Sequence, residues 1–160
     1  MVKSAKTPRV MIVLGSSSDL PVIEGCKSLL ERFGISYGVE IASAHRQPAK
    51  LHRILKKCDK NGTQAYIAVA GMAAHLPGVM ASLTDKPVIG VPVAAGALAG
   101  VDALLSMAQM PGGIPVATVA IGSSGGKNAA VLCARIFALS DKEVEASLID
   151  YRKYLAKGGK

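Results

Sequence analysis

Along this chain, short runs of apolar and β-branched residues alternate with longer segments that mix apolar and polar positions at helical spacing. The runs predict strands over Arg9–Leu14, Tyr37–Ala42, Ala65–Ala70, Pro87–Val91 and Val116–Ile121. The segments between them predict helices over Asp19–Phe33, Pro48–Lys60, His75–Leu83, Gly100–Gln109, Lys127–Leu139 and Asp141–Ala156. Pro48 suits a first helical turn, where its missing N–H is no loss and its fixed φ helps, and Asn61-Gly62 ends that helix.

Strands that are apolar on both faces and separated by helices indicate a parallel sheet covered on both sides, because parallel strands need crossover connections. The expected fold class is therefore α/β: a three-layer α/β/α sandwich with a five-stranded parallel sheet and a flavodoxin-like strand order. In such sheets ligands bind beyond the carboxyl ends of the strands, at the point where the strand order reverses. The whole chain, 1–160, reads as a single domain, with residues 1–8 flexible and 141–160 forming a C-terminal helix and tail; no linker divides it.

Composition adds a constraint on assembly. Half of the 160 residues are hydrophobic while 19% are charged and 4% aromatic, and mean hydropathy is +0.35. A chain of this length buries only about 70% of the surface it exposes when unfolded. Some of that apolar load is expected to meet other subunits of a homo-oligomer. A membrane reading fails: the apolar stretch Ala65–Leu83 is interrupted by Gly71, His75, Pro77 and Gly78, and Val88–Val101 is short and carries Pro92. The N-terminal MVKSAKTPRV lacks a signal peptide's apolar core, so a cytoplasmic protein is expected.

Cys26, Cys58 and Cys133 form no C-x-x-C pair and each falls in a predicted helix, where a small buried hydrophobe is the plain reading. The net charge of +8 comes from scattered Lys and Arg without interleaved aromatics. That pattern fits an anionic small substrate at least as well as nucleic acid.

Candidate chemistry lies in the loops after the strands. Gly15-Ser16-Ser17-Ser18-Asp19 leads into a helix whose free N–H groups can hold an anion, although Ser18 or Asp19 can equally serve as a plain helix cap. It is neither G-x-G-x-x-G nor a Walker loop, so a dinucleotide or nucleoside triphosphate has no specific support. Ser43-Ala44-His45-Arg46 places an imidazole and a guanidinium together: one can give and take a proton near neutral pH, the other presents a planar fork to phosphate oxygens. Ala70-Gly71-Met72-Ala73-Ala74-His75-Leu76-Pro77-Gly78 can wall a tight chamber, with His75 either a chemical group or a tether for the helix start. His52, among Lys and Arg, reads as solvated. The loop Pro92–Asp102 closes over a ligand or simply packs, and Met107 and Met110 read as core of a helix. No H-E-x-x-H pair or carboxylate cluster appears, and neither a metal nor another cofactor is expected.

Taken as a set, G-S-S-S-D at 15–19, S-A-H-R-x-P at 43–48 and A-A-H-L-P-G at 73–78 resemble the N5-carboxyaminoimidazole ribonucleotide mutases, and the resemblance continues through Gly90–Val93, Gly100–Asp102, Gln109–Val116 and Asn128–Ala130. It implies a flavodoxin-like octamer that moves a carboxyl group without ATP, metal or organic cofactor. On matching positions it implies Ser16, Ser18 and Asp19 as ligands of the ribose phosphate, with Ser43 and Arg46 opposite. It makes His45 the proton carrier, and Gly71, Ala73, Ala74 and Leu76 the walls of a chamber for CO2, with His75 in support. The mutases usually have glycine where this chain has Met72, and Ala94-Ala95-Gly96 is blander than the usual loop. The related direct carboxylases have an R-S-N type sequence in place of A-H-L-P, which favours the mutase. A non-catalytic nucleotide- or flavin-binding module is the rival of another class, since fold does not fix function; the absence of Trp weighs against flavin stacking.

Overall fold

The computed structural model describes residues 7–159, so residues 1–6 of the segment expected to be flexible lie outside the described residues. Pro8 is held to the body, its carbonyl accepting from Thr63 Oγ1 at 3.0 Å. Five strands, β1 (Val10–Leu14), β2 (Tyr37–Ile41), β3 (Ala65–Gly71), β4 (Val88–Val93) and β5 (Ala117–Thr118), form one sheet in the order β2-β1-β3-β4-β5. All four pairings are parallel, with Val10 level with both Tyr37 and Ala65, Tyr66 with Val88, and Ile89 with Ala117. This is the doubly wound, flavodoxin-like order, and its reversal falls between β1 and β3.

Period-two alternation divides the strands between two apolar cores. Val10, Ile12 and Leu14 of β1, Ala65, Ile67 and Val69 of β3, and Ile89 and Val91 of β4 face one side, packed with α1 (Glu24–Arg32), α5 (Ser123–Ala138) and α6 (Lys142–Ala156). Met11 and Val13, Tyr66, Ala68 and Ala70, and Val88 face the other, against α2 (Pro48–Asn61), α3 (Leu76–Ala81) and α4 (Val101–Ala108). Each fully buried Ile or Leu contributes about 1.5–3 kcal/mol. Tyr66 is buried with its hydroxyl donating to Asp59 Oδ1 at 2.6 Å, which satisfies the one polar atom of the largest buried side chain. The three cysteines are free and buried on α1, α2 and α5, as read from the sequence, and burial pushes the Cys26 thiol up to about 12.

Several boundaries differ from the expectation, each for a local reason. The helix expected from Asp19 begins as a 3-10 turn, Ser17–Ile23, and becomes α-helical only at Glu24, because Pro21 within it has no N–H to donate. The strand expected over Val116–Ile121 pairs only at Ala117–Thr118. In a parallel strand both backbone groups of one residue face the same neighbour; Gly90 O and Pro92 O accept from Val119 and Gly122, so Pro92 faces β5 with no N–H and the ladder stops. Helix α5 starts four residues earlier than expected, through Ser123-Ser124-Gly125-Gly126, since a Cβ at Gly126 would overlap the carbonyl of Val22 and one at Gly125 that of Ala120. Backbone-to-backbone packing holds this turn despite glycine's poor helix propensity. Met107 is buried core, but Met110 lies beyond α4 and packs on Gly78 instead. Asp141 caps α6, accepting from Glu143 N and Val144 N, and the Arg9 guanidinium 2.7 Å away holds its carboxyl below the usual value.

Among the described residues, no helix is long and apolar enough to cross a membrane.

Candidate active site

A cavity of about 570 Å³ opens beyond the carboxyl ends of β1, β2, β3 and β4, at the reversal of strand order. Every residue that the resemblance assigns to the site lines it: Ser16, Ser18, Asp19, Ser43, His45, Arg46, Gly71, Ala73, Ala74, His75 and Leu76. Gly15, Ala44, Ala70, Met72 and Ala95 line it as well. Gly15 and Ala70 lie at strand carboxyl ends, where the crevice rule already points; nothing local marks Ala95, which reaches the cavity only because β4 lies beside β3. A larger cavity of about 760 Å³ sits at the opposite edge of the sheet, lined by Asp59, Thr84, Asp85, Lys86 and Pro115 among others, and it contains no imidazole.

The first loop is a small hydroxyl and carboxylate cluster. Ser16, not Ser18 or Asp19, caps the following turn, its Oγ accepting from Ser18 N at 3.3 Å. The Ser18 hydroxyl lies 2.9 Å from Ser16 Oγ and 3.2 Å from Asp19 Oδ1, and with one hydrogen it donates to one of them at a time. Asp19 is only 7% exposed. Desolvation raises its carboxyl above the usual value, against the lowering effect of hydrogen bonds from Ser18 and Ser16. A buried, acceptor-only group beside two hydroxyls suits the hydroxyl groups of a sugar.

After β2, the chain makes a single turn closed by Gln47 N to Ser43 O at 2.8 Å. Buried Ser43 accepts from the backbone N–H of Arg46 at 3.3 Å and from its Nε at 3.4 Å. That leaves the outer guanidinium N–H groups to bind an anion in the cavity. The same turn presents His45. Its Nε2 lies 2.7 Å from Nδ1 of His75, with ring centroids 4.8 Å apart and planes at 75°. As a hydrogen bond the contact requires one ring to donate and the other to accept, the tautomer deciding which, so the two imidazoles are linked at the cavity wall. His75 precedes α3 and makes no side-chain cap; its ring tethers His45 and not the helix. His52 is exposed on α2, away from the cavity.

The third loop carries the chain's departure. Met72 has φ 55° and is 60% exposed. A left-handed backbone at a residue with a Cβ costs roughly 1–2 kcal/mol, which glycine avoids. The position the resemblance assigns to glycine is thus one where the fold requires positive φ. Among the described residues, no group of three or more His, Cys, Asp or Glu side chains is placed to hold a metal ion.

Fold and cavity together define a flavodoxin-like α/β protein whose cavity is lined by a hydrogen-bonded pair of imidazoles together with hydroxyl, carboxylate and guanidinium groups. A family model described as AIR carboxylase matches residues 9–158, and the chain belongs to that family. It is 51% identical over 152 residues to the N5-carboxyaminoimidazole ribonucleotide mutase of Pyrococcus horikoshii, an alignment covering 95% of this chain and 84% of the relative. It is 50% identical over 145 residues to the Escherichia coli K12 protein of the same name, covering 91% and 86%. Among solved structures, Treponema denticola PurE superposes with a TM-score of 0.85 at 36% identity, over 93% of this chain and 92% of that one.

Proposed function

We propose that this chain interconverts N5-carboxyaminoimidazole ribonucleotide and 4-carboxy-5-aminoimidazole ribonucleotide in purine biosynthesis. The observation that carries the reading is the 2.7 Å contact between His45 and His75 in the cavity that also holds Ser16, Ser18, Asp19, Ser43 and Arg46. Arg46 and the serine loop hold the phosphate, and Asp19 accepts from ribose hydroxyls. His45 donates a proton to the exocyclic nitrogen as its N–C bond to the carboxylate breaks, releasing CO2. The ring carbon C4 then forms a bond to that CO2, and neutral His45 takes the proton that C4 bore. The proton lent in the first half is returned in the second, so no net acid or base is consumed. Oxidation state does not change, and the cycle calls for no ATP, metal or organic cofactor. His75 supports the cycle by fixing the His45 ring and sharing its proton.

CO2 is small and has no charge, so its recapture depends on confinement next to C4. Gly71, Ala73, Ala74 and Leu76 supply small or apolar walls for that purpose, in one catalytic domain spanning residues 1–160. His45, Arg46, Met72 and His75 are exposed in the single chain. Neighbouring subunits of a homo-oligomer, an octamer by resemblance to the family, would complete the enclosure. Exposed Leu98, Val101 and Leu105 around α4, beside a buried Asp102 Oδ1 that has no hydrogen-bond partner among the described residues, support a subunit contact there. Free thiols at all three cysteines suit the cytoplasm.

Purified protein supplied with each substrate tests the reading. Carboxyl transfer from N5-carboxyaminoimidazole ribonucleotide in bicarbonate-free buffer is expected. Conversion only of aminoimidazole ribonucleotide with CO2-saturated buffer would instead make the chain a direct carboxylase, the activity that the family model's description names.

A further inference from the structure

Two loops meet over the cavity, and both are conformationally strained. At the end of β3, Gly71 packs so closely that a Cβ there would lie 3.1 Å from Ala95 Cβ and 3.3 Å from Val93 O, both on the β4 side. The next residue, Met72, takes a left-handed backbone at φ 55° and lays its side chain over Gly96, where a Cβ would lie 3.7 Å from its Cγ and 3.9 Å from its Cε. Facing it, Gly96, Ala99 and Gly100 all have positive φ, at 66°, 49° and 89°, so the loop between β4 and α4 is itself tightly wound. Backbone bonds within that loop run from Ala99 N to Gly96 O at 3.3 Å and from Val101 N to Leu98 O at 3.0 Å, and Leu104 N donates to Gly100 O at 2.9 Å where the loop enters α4. Met72 is therefore an apolar side chain, 60% exposed, held in an unfavourable backbone region, which faces a glycine of the opposing loop across the cavity rim.

We infer that Met72 is a latch that holds the loop between β4 and α4 over the CO2 chamber and sets how much CO2 escapes before recapture. The inference rests on the mutase reading and adds a residue that determines retention. The flexible thioether can slide over Gly96 as substrate enters, because glycine offers a flat surface and methionine has three rotatable bonds. With the latch seated, the rim beside Ala95 is narrower by the bulk of one side chain. Retention of a neutral, weakly held intermediate depends on such closure more than on any hydrogen bond. The left-handed backbone aims the side chain: a residue at the same position in an extended conformation would send its Cβ elsewhere.

The test uses the full chain and N5-carboxyaminoimidazole ribonucleotide in buffer containing ¹³C-bicarbonate, with the fraction of product carrying solvent carbon as the readout. Wild type is expected to incorporate little label per turnover. Met72→Ala keeps the Cβ and its backbone restriction but removes the latch, and Met72→Gly removes both. Both are expected to raise label incorporation about threefold or more, while Met72→Leu, which keeps apolar bulk, stays near wild type. Label incorporation by Met72→Ala equal to wild type overturns the proposal. So does a leak confined to Met72→Gly, which would assign the effect to backbone freedom. A wild-type chain that transfers no carboxyl group at all overturns the mutase reading as well, whereas unchanged leakage in variants that still transfer overturns only the latch.

Discussion

The two histidines make different demands on the mechanism, and substitution separates them. Removing His45 takes away the group that carries the proton, and general acid–base catalysis by a positioned side chain contributes about 10²–10⁴-fold. Removing His75 takes away a hydrogen bond to His45 Nε2 at 2.7 Å. A net hydrogen bond of about 0.5–1.5 kcal/mol corresponds to roughly 2- to 10-fold in rate. His45→Asn is therefore expected to lose at least about tenfold more turnover than His75→Ala. His75→Asn provides the finer control, because the asparagine amide reaches about where Nδ1 sits and can keep a hydrogen bond to His45 while carrying no titratable proton. It is expected to recover most of what His75→Ala loses if the role of His75 is to orient the ring. His52→Asn, on the exposed face of α2, should leave turnover unchanged. The assay is carboxyl transfer under saturating substrate, in both directions, with thermal melts confirming the fold. A loss in His75→Ala equal to or greater than that in His45→Asn would refute the division of roles and make His75 a proton carrier in its own right.

Arg46→Ala should raise KM about tenfold or more with a smaller change in kcat, since a charge-assisted contact to phosphate acts on bound substrate throughout the reaction; a kcat-only defect would contradict it. Asp19→Asn tests the raised carboxyl. Because burial places its folded value above the ordinary 3.8, the penalty for ionised Asp19 is fully present above the folded value and is relieved as pH falls through it toward 3.8. The asparagine variant should thus melt higher than wild type at pH 7, lose that advantage on acidification through this window, and bind substrate more weakly; an advantage that grew in acid would reverse the assignment. Gly126→Ala should destabilise by about 3 kcal/mol, lowering Tm by roughly 6–12 °C, because its Cβ meets the Val22 carbonyl. An unchanged melt would mean that α5 can lift from the turn below it at little cost.

What the sequence determined by itself is the fold class and most of the side chains that line the cavity. Continuous burial along β1, β3 and β4 is written in their unbroken apolar runs, since a strand packed between two cores must be apolar on both faces. Once the strands are parallel, the loops after successive strands all lie at one edge of the sheet, and serine, histidine and arginine in those loops are brought to the same side. Tertiary structure alone decided the distances and conformations that make the site specific. His45 and His75 are thirty residues apart in sequence and 2.7 Å apart in space, a separation fixed by β1 lying between their parent strands and by how each loop packs. The left-handed turn at Met72, the choice of Ser16 as cap, the early start of α5 and the truncation of β5 at Pro92 have the same origin. Periodicity reports how often a residue is buried, but not which backbone approaches it. Contacts of a few ångströms between distant segments are set by packing, which can override the helix propensity of glycine and hold methionine where glycine would rest more easily.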